Sequence, residues 1–174
     1  MSEKQERKVT VAGRLLSNPI KVNDNGKHKA MIVFDPEYID QKKIDGYLKQ
    51  LEALKKSAVA EVFDGKKVKV TDWVVRYGDD PEFENTFEKH YLAVNSNKPF
   101  RSIKRVNGEV VDIDDDDVDE FIYAGAVVAL PVNVYAMKKK DDIPNHVNVS
   151  SRGTICFLKH ADKLPTSNAS DDEF

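Results

Sequence analysis

One helical stripe set among alternating segments constrains this chain more than any other feature. Over residues 40–63 the apolar positions Ile44, Leu48, Leu51, Leu54, Ala58 and Val62 step by three and four, which gathers them on one face of a helix. Asp35-Pro36 upstream is a helix-start signature, and Asp64-Gly65 is a stop. The remaining apolar runs read as strands. Residues 8–16 and 29–34 flank the turn Asn23-Asp24-Asn25-Gly26, with Lys27, His28 and Lys29 as a basic flank. Residues 67–76 and 88–96 follow; residues 106–113 turn at Asn107-Gly108, the strongest hairpin signal in the chain. A long run at 121–137 is interrupted by Gly125 and Pro131, and residues 146–158 carry Gly153 as a bulge or bend.

Six or seven strands with one helix inserted after the second present a covering problem. A single helix cannot shield both faces of a large sheet, so closure into a barrel is the economical way to remove exposed edges. The expectation is a mainly β fold: an oligonucleotide-binding (OB-fold) barrel, closed or partly open, with a β-sandwich as runner-up. Residues 1–161 form the domain and 162–174 a disordered acidic tail, because the segment before the last four residues has too little apolar surface to fold.

Composition narrows the function. Of 174 residues, 40% are hydrophobic and 33% charged, which suits a soluble domain with one real core. No apolar run approaches the length of a membrane span, and the first residues lack the apolar core of a signal peptide. Cys156 is the single cysteine, which excludes an intrachain disulfide and a cysteine-built zinc site. The net charge of −3 hides a segregation of sign. Seven carboxylates lie within residues 112–120, and three more in Asp171-Asp172-Glu173-Phe174; without those ten, 20 acids face 27 bases. A basic body with acidic attachments offers a surface to polyanions while its own acid competes for it.

Two stretches carry the residue types that bind single strands, cations for phosphates and rings for bases. The first runs through Trp73, Arg76, Tyr77 and Phe83; the second through Lys98, Phe100, Arg101, Lys104 and Arg105, which has no acid. Trp73, lying amid valines, reads first as core, and Phe100 has the same alternative. Tyr135, followed by Lys138, Lys139 and Lys140, suits a rim where base and phosphate contacts meet. The carboxylates of 112–120 raise a magnesium or calcium reading, but they lack the glycine and closing glutamate of a calcium loop. His28, His90, His146 and His160 are scattered, and neither a phosphate-cradling glycine loop nor a nucleophile elbow occurs. A binding protein with no catalytic residues, metal or cofactor is therefore expected.

Taken in order, these segments resemble the replicative single-stranded-DNA-binding proteins of bacteriophages. The likeness is carried by Arg76-Tyr77-Gly78-Asp79, by Asn95-Ser96-Asn97-Lys98-Pro99 continuing to Val110-Val111-Asp112, by Tyr123-Ala124-Gly125 running to Val134-Tyr135, by Val149-Ser150-Ser151, and by the acidic tail. It implies an OB-fold protein that coats single-stranded DNA in phage replication, recombination and repair, in the cytoplasm of the infected host. It also implies that Asp171, Asp172, Glu173 and Phe174 recruit the replication polymerase and the helicase/primase, that the tail competes for the DNA groove, and that a homodimer can form. Residue by residue, Arg76, Lys98, Arg101, Lys104 and Arg105 would neutralise phosphates, and Trp73, Tyr77, Phe100 and Tyr135 would stack bases. The rival readings are a metal-dependent nucleic-acid enzyme using residues 112–119, and a structural phage protein whose tail only aids solubility.

Overall fold

The structure is a computed structural model that describes residues 7–16, 28–96, 98–151 and 153–164. The turn at 23–26 and the segment 165–174, with Asp171, Asp172, Glu173 and Phe174, lie outside the described residues. In chain order the elements are β1 (Lys8–Leu15), β2 (His28–Val33), α1 (Gln41–Val62), β3 (Thr71–Asp72), β4 (Arg76–Tyr77), β5 (His90–Ser96), β6 (Arg101–Val106), β7 (Glu109–Asp112), α2 (Val118–Phe121), β8 (Val127–Met137), β9 (His146–Ser150) and β10 (Thr154–Lys159).

Five of these strands close on themselves. β1 pairs with β2, β2 with β5, β5 with β9, β9 with β8, and β8 returns to β1. The β5–β9 pairing is parallel and the others antiparallel. Closure leaves the barrel strands no free edge, which is the solution that a strand-rich chain with one long helix requires. The result is the mainly β, OB-like barrel expected from the sequence. Alternation within each strand fills its interior: Val11 and Leu15, Ala30 and Ile32, Leu92 and Val94, Leu130, Val132 and Val134, and Val149 are all buried.

The helix packs as its stripe demands. Ile44, Leu51 and Ala58 are buried in the same core, and α1 lies mainly against β8 and β1. Its start corrects the sequence expectation. Asp35 caps a turn rather than the helix: its Oδ1 accepts the Glu37 amide at 3.0 Å, and its carbonyl oxygen accepts those of Tyr38 and Ile39. Asp40 is the true cap, accepting the Lys42 amide at 3.1 Å. Asp64 and Gly65, both at positive φ, end the helix as expected.

Strand limits also moved. Residues 67–76 yield only the two-residue strands β3 and β4, because β3 finds a partner in β9 and β4 in β5. The basic segment at 98–105 is largely strand β6, held by a parallel ladder to β10 and a hairpin to β7. Asn107 and Gly108 turn that hairpin with φ of 52° and 83°, the left-handed pair that a two-residue hairpin loop requires. β10 continues β9 beyond a bend at Gly153 and pairs with the first part of β8, so that β10, β6 and β7 extend the sheet as an arm beside the closed ring. Pro131 is tolerated inside β8 because it falls between the stretch paired with β10 (127–129) and that paired with β9 (133–137).

Contacts to the barrel continue just past residue 161. The Arg14 guanidinium donates to the Asp162 carbonyl at 2.5 Å, and the Leu164 amide donates to the Ala124 carbonyl at 2.9 Å. Arg14 is itself buried, paired with Asp35 at 3.2 Å, bonded to the Gly125 carbonyl and stacked on Tyr38. Among the described residues no helix is long and apolar enough to cross a membrane.

Candidate nucleic-acid interface

Alternation that sends valines inward sends a polar row outward across four barrel strands. Lys29 stands opposite Asn95, Asn95 opposite Ser150, and Ser150 opposite Asn133. One step along, Asn148 faces Tyr135; one step further, His146 faces Met137. β3 brings Trp73 to the end of this face, where its ring lies 4.5 Å from that of His146; Tyr135 meets the same imidazole edge-on at 6.3 Å. His146 is fixed through Nδ1, 2.9 Å from the Pro144 carbonyl. Trp73 and Tyr135 are both half-buried. Burial raises the Tyr135 hydroxyl above its ordinary pKa against a hydrogen bond with Asn148 that lowers it, so the phenol stays protonated near neutrality.

β4 pairs with the start of β5, on the edge that β9 takes further along. Arg76 sits opposite Tyr91 and Tyr77 opposite His90, with the Tyr77 and His90 rings 4.9 Å apart. Both β4 side chains are exposed, Tyr77 by 53%. Among the described residues Arg76 has no carboxylate partner. Lys98 is exposed where β5 ends, its amide donating to Ser96 Oγ at 3.2 Å. Lys138, Lys139 and Lys140 are exposed in the loop that joins β8 to β9. The arrangement is rings and amides across a barrel face with cations at its margins, the composition that tracks a single strand by stacking and phosphate neutralisation.

The other expected binding residues lie elsewhere. Phe100 is a correction: it is 6% exposed and part of the hydrophobic core, so its ring has no face to offer a base. Arg101, Lys104 and Arg105 are on β6 in the arm. Arg101 forms a fork with Asp112, Nε to Oδ1 at 2.6 Å and a terminal nitrogen to Oδ2 at 3.2 Å. The hydrogen bond holds the Asp112 carboxyl below the usual carboxylate range and raises the guanidinium further. Lys104 lies 4.2 Å over the Phe121 ring, within a cluster that includes Phe157 and His160. Arg105 is exposed; burial pushes the Cys156 thiol up, and the charge of Arg105 opposes that shift. The structure thus brings Trp73 and Tyr135 together around His146 and sets Arg76 and Tyr77 against the start of β5, whereas Lys98 follows the other end of β5, three residues before Arg101, and Arg101, Lys104 and Arg105 stand on β6.

The expected binding residues did not include Tyr91, Asn133 and Asn148, nor Asn95 and Ser150, which entered only within the stretches that carry the resemblance. The signal was present in β8 and β9, where Val-Asn-Val-Tyr and Val-Asn-Val-Ser alternate with period two; pairing then sets those outward residues side by side. The acidic segment 112–120 ends in the single turn α2, and among the described residues no group of three or more His, Cys, Asp or Glu is placed to hold a metal ion.

No protein-family model matches the chain, and no curated protein matches it by sequence. Solved structures do match in fold. The single-stranded DNA-binding protein from bacteriophage Enc34, in complex with single-stranded DNA, superposes with a TM-score of 0.69 at 10% identity, covering 94% of this chain and 97% of that one. The same Enc34 protein in a second structure gives 0.67 at 12%, covering 98% and 97%. Gp2.5, a single-stranded DNA binding protein encoded by bacteriophage T7, gives 0.52 at 12%, covering 97% and 95%. At these identities the likeness is one of fold.

Proposed function

We propose that this chain is a sequence-independent single-stranded-DNA-binding protein and not an enzyme. The observation that carries the reading is the outer barrel face, where Trp73, Tyr135 and Tyr77 lie among outward amides, with Arg76, Lys98 and Lys138–Lys140 at the margins. Two phage proteins of the same fold bind single-stranded DNA, which supports it. The strand crosses β2, β5, β9 and β8; Trp73 and Tyr135 stack bases, and the marginal cations meet phosphates. In this reading the protein coats single-stranded DNA in the cytoplasm of a phage-infected cell during replication, recombination and repair. Asp171, Asp172, Glu173 and Phe174 then act as the hook for the polymerase and the helicase/primase, the carboxylates giving on-rate and the ring an anchor.

Titration with oligo-dT tests this directly, because Trp73 is the only tryptophan and reports its own quenching. Binding is expected to weaken with salt by about 0.7 log–log units for each phosphate neutralised. No quenching and no retention at low salt, with duplex equally inert, overturns the reading.

A further inference from the structure

The loop between β4 and β5 reads Asp79-Asp80-Pro81-Glu82-Phe83, which is Asp171-Asp172-Glu173-Phe174 with one proline inserted. Two segments far apart in the chain thus share one order of charge and ring. In the loop, unlike the terminal segment, the structure describes how that order is displayed.

The loop is built, not slack. At its stem the Gly78 amide donates to the Lys89 carbonyl at 3.0 Å, and the Glu88 amide returns to the Gly78 carbonyl at 2.8 Å. At its tip Asp80 Oδ1 accepts the Glu82 amide at 3.0 Å, and the Asp80 carbonyl accepts the Phe83 amide at 3.1 Å. The Phe83 carbonyl accepts the amides of Thr86 and Phe87. Every one of these bonds fixes backbone, and the Phe83 ring is left 59% exposed, the most exposed large apolar side chain among the described residues. Residues 79–88 hold five carboxylates and no base, and none of the five forms an ion pair among the described residues. A rigid loop that presents a ring between Glu82 and Glu84 loses little conformational freedom when it docks.

What it docks on follows from charge. With the fifteen carboxylates of 79–88, 112–120 and 171–174 set aside, 15 acids face 27 bases in the rest of the chain. The complementary surface nearest in chemistry is the barrel face itself, where rings and marginal cations accept alternating negative charge and π surface. Within its own chain the loop stands open, with Phe83 exposed and none of its carboxylates ion-paired among the described residues, so the contact is between copies. We propose that loop 79–84 docks, through Phe83 and its flanking carboxylates, on the nucleic-acid face of a second copy of this chain, and that single-stranded DNA displaces it. The identity of that face rests on the function proposed above; the sequence match and the exposed loop do not.

Sedimentation velocity of the full chain over a range of protein concentrations at low salt tests the docking without DNA. Reversible self-association is expected, dispersed by added salt and by saturating oligo-dT. The triple variant Glu82→Gln, Phe83→Ser, Glu84→Gln is expected to associate about tenfold more weakly, as when a central anchor is lost. Its thermal melt should stay that of wild type, because the three side chains are exposed. A second variant, Asp171→Asn, Asp172→Asn, Glu173→Gln, Phe174→Ala, should still associate, which separates the loop from the terminal segment. A wild-type chain that stays monomeric, a loop variant that associates like wild type, or association that oligo-dT leaves intact each overturns the proposal. Failure of oligo-dT to bind at all overturns the single-strand reading instead, and it is read in a separate titration.

Discussion

The barrel face and the arm carry the same residue types and use them in opposite ways. On the face, Arg76 and Tyr77 are exposed, Trp73 and Tyr135 are half-buried, and the outward amides line up strand by strand. In the arm, Arg101 is matched by Asp112, Lys104 lies on Phe121, and Phe100 is sealed in the core. A cation or a ring contributes to a ligand only what its own protein has not already satisfied. Counting bases along the sequence makes the arm the richer site; counting those still unpaired in the fold makes the face the richer one.

The sharpest way to break this comparison is at Phe100. With its ring buried among core residues, Phe100→Ala should cost about 3–5 kcal/mol of folding stability, the usual range for a phenylalanine truncated in a core. Urea denaturation measures that cost. The affinity of the folded protein for oligo-dT should be unchanged. A variant of normal stability and poor affinity would put Phe100 back on the binding surface.

Trp73→Ala and Tyr135→Ala address the face with the next largest effect. Each should weaken oligo-dT binding by about 1–3 kcal/mol, the usual worth of one stacked base. Fluorescence anisotropy of labelled oligo-dT is the readout, since Trp73 is lost in one variant. Tyr135→Phe keeps the ring and removes the hydroxyl that meets Asn148, so it should retain most of the affinity. If both alanine variants bind like wild type, the strand does not cross this face.

Period and cap chemistry made much of this fold legible from the residues. The stripe of Ile44, Leu51 and Ala58 gave the helix, Asn107-Gly108 gave the hairpin, and one long helix among many strands gave barrel closure. What stayed hidden depended on pairing between distant segments. Residues 101–106 look like a charged loop because their strand character comes from β10, more than fifty positions later. Trp73 sits among valines in sequence, yet it ends beside His146 because a two-residue strand pairs with β9. The same reason hid the polar row from Lys29 to Asn133, whose members are neighbours only across ladders. Which base is free is a question of partners, and Asp112 lies eleven residues from the arginine it holds.

That last pair supplies the finest test of the contrast, because one substitution should convert an arm residue into a face-like one. The hydrogen bond with Arg101 lowers the Asp112 carboxyl, so the pair's contribution to stability is complete above the unfolded carboxyl range and disappears as pH falls through the depressed folded value. Both side chains are well exposed, so the effect on stability is small. Its effect on charge is not. Asp112→Asn releases the guanidinium at neutral pH, and if the strand passes within reach of β6, the log–log salt slope of oligo-dT binding should steepen by up to about 0.7, one further phosphate. Arg101→Ala should leave the wild-type slope where it is, because a guanidinium already matched by a carboxylate releases no counterion from DNA. Should Arg101→Ala flatten the slope by itself, Arg101 trades Asp112 for phosphate when DNA binds, and the arm belongs to the interface.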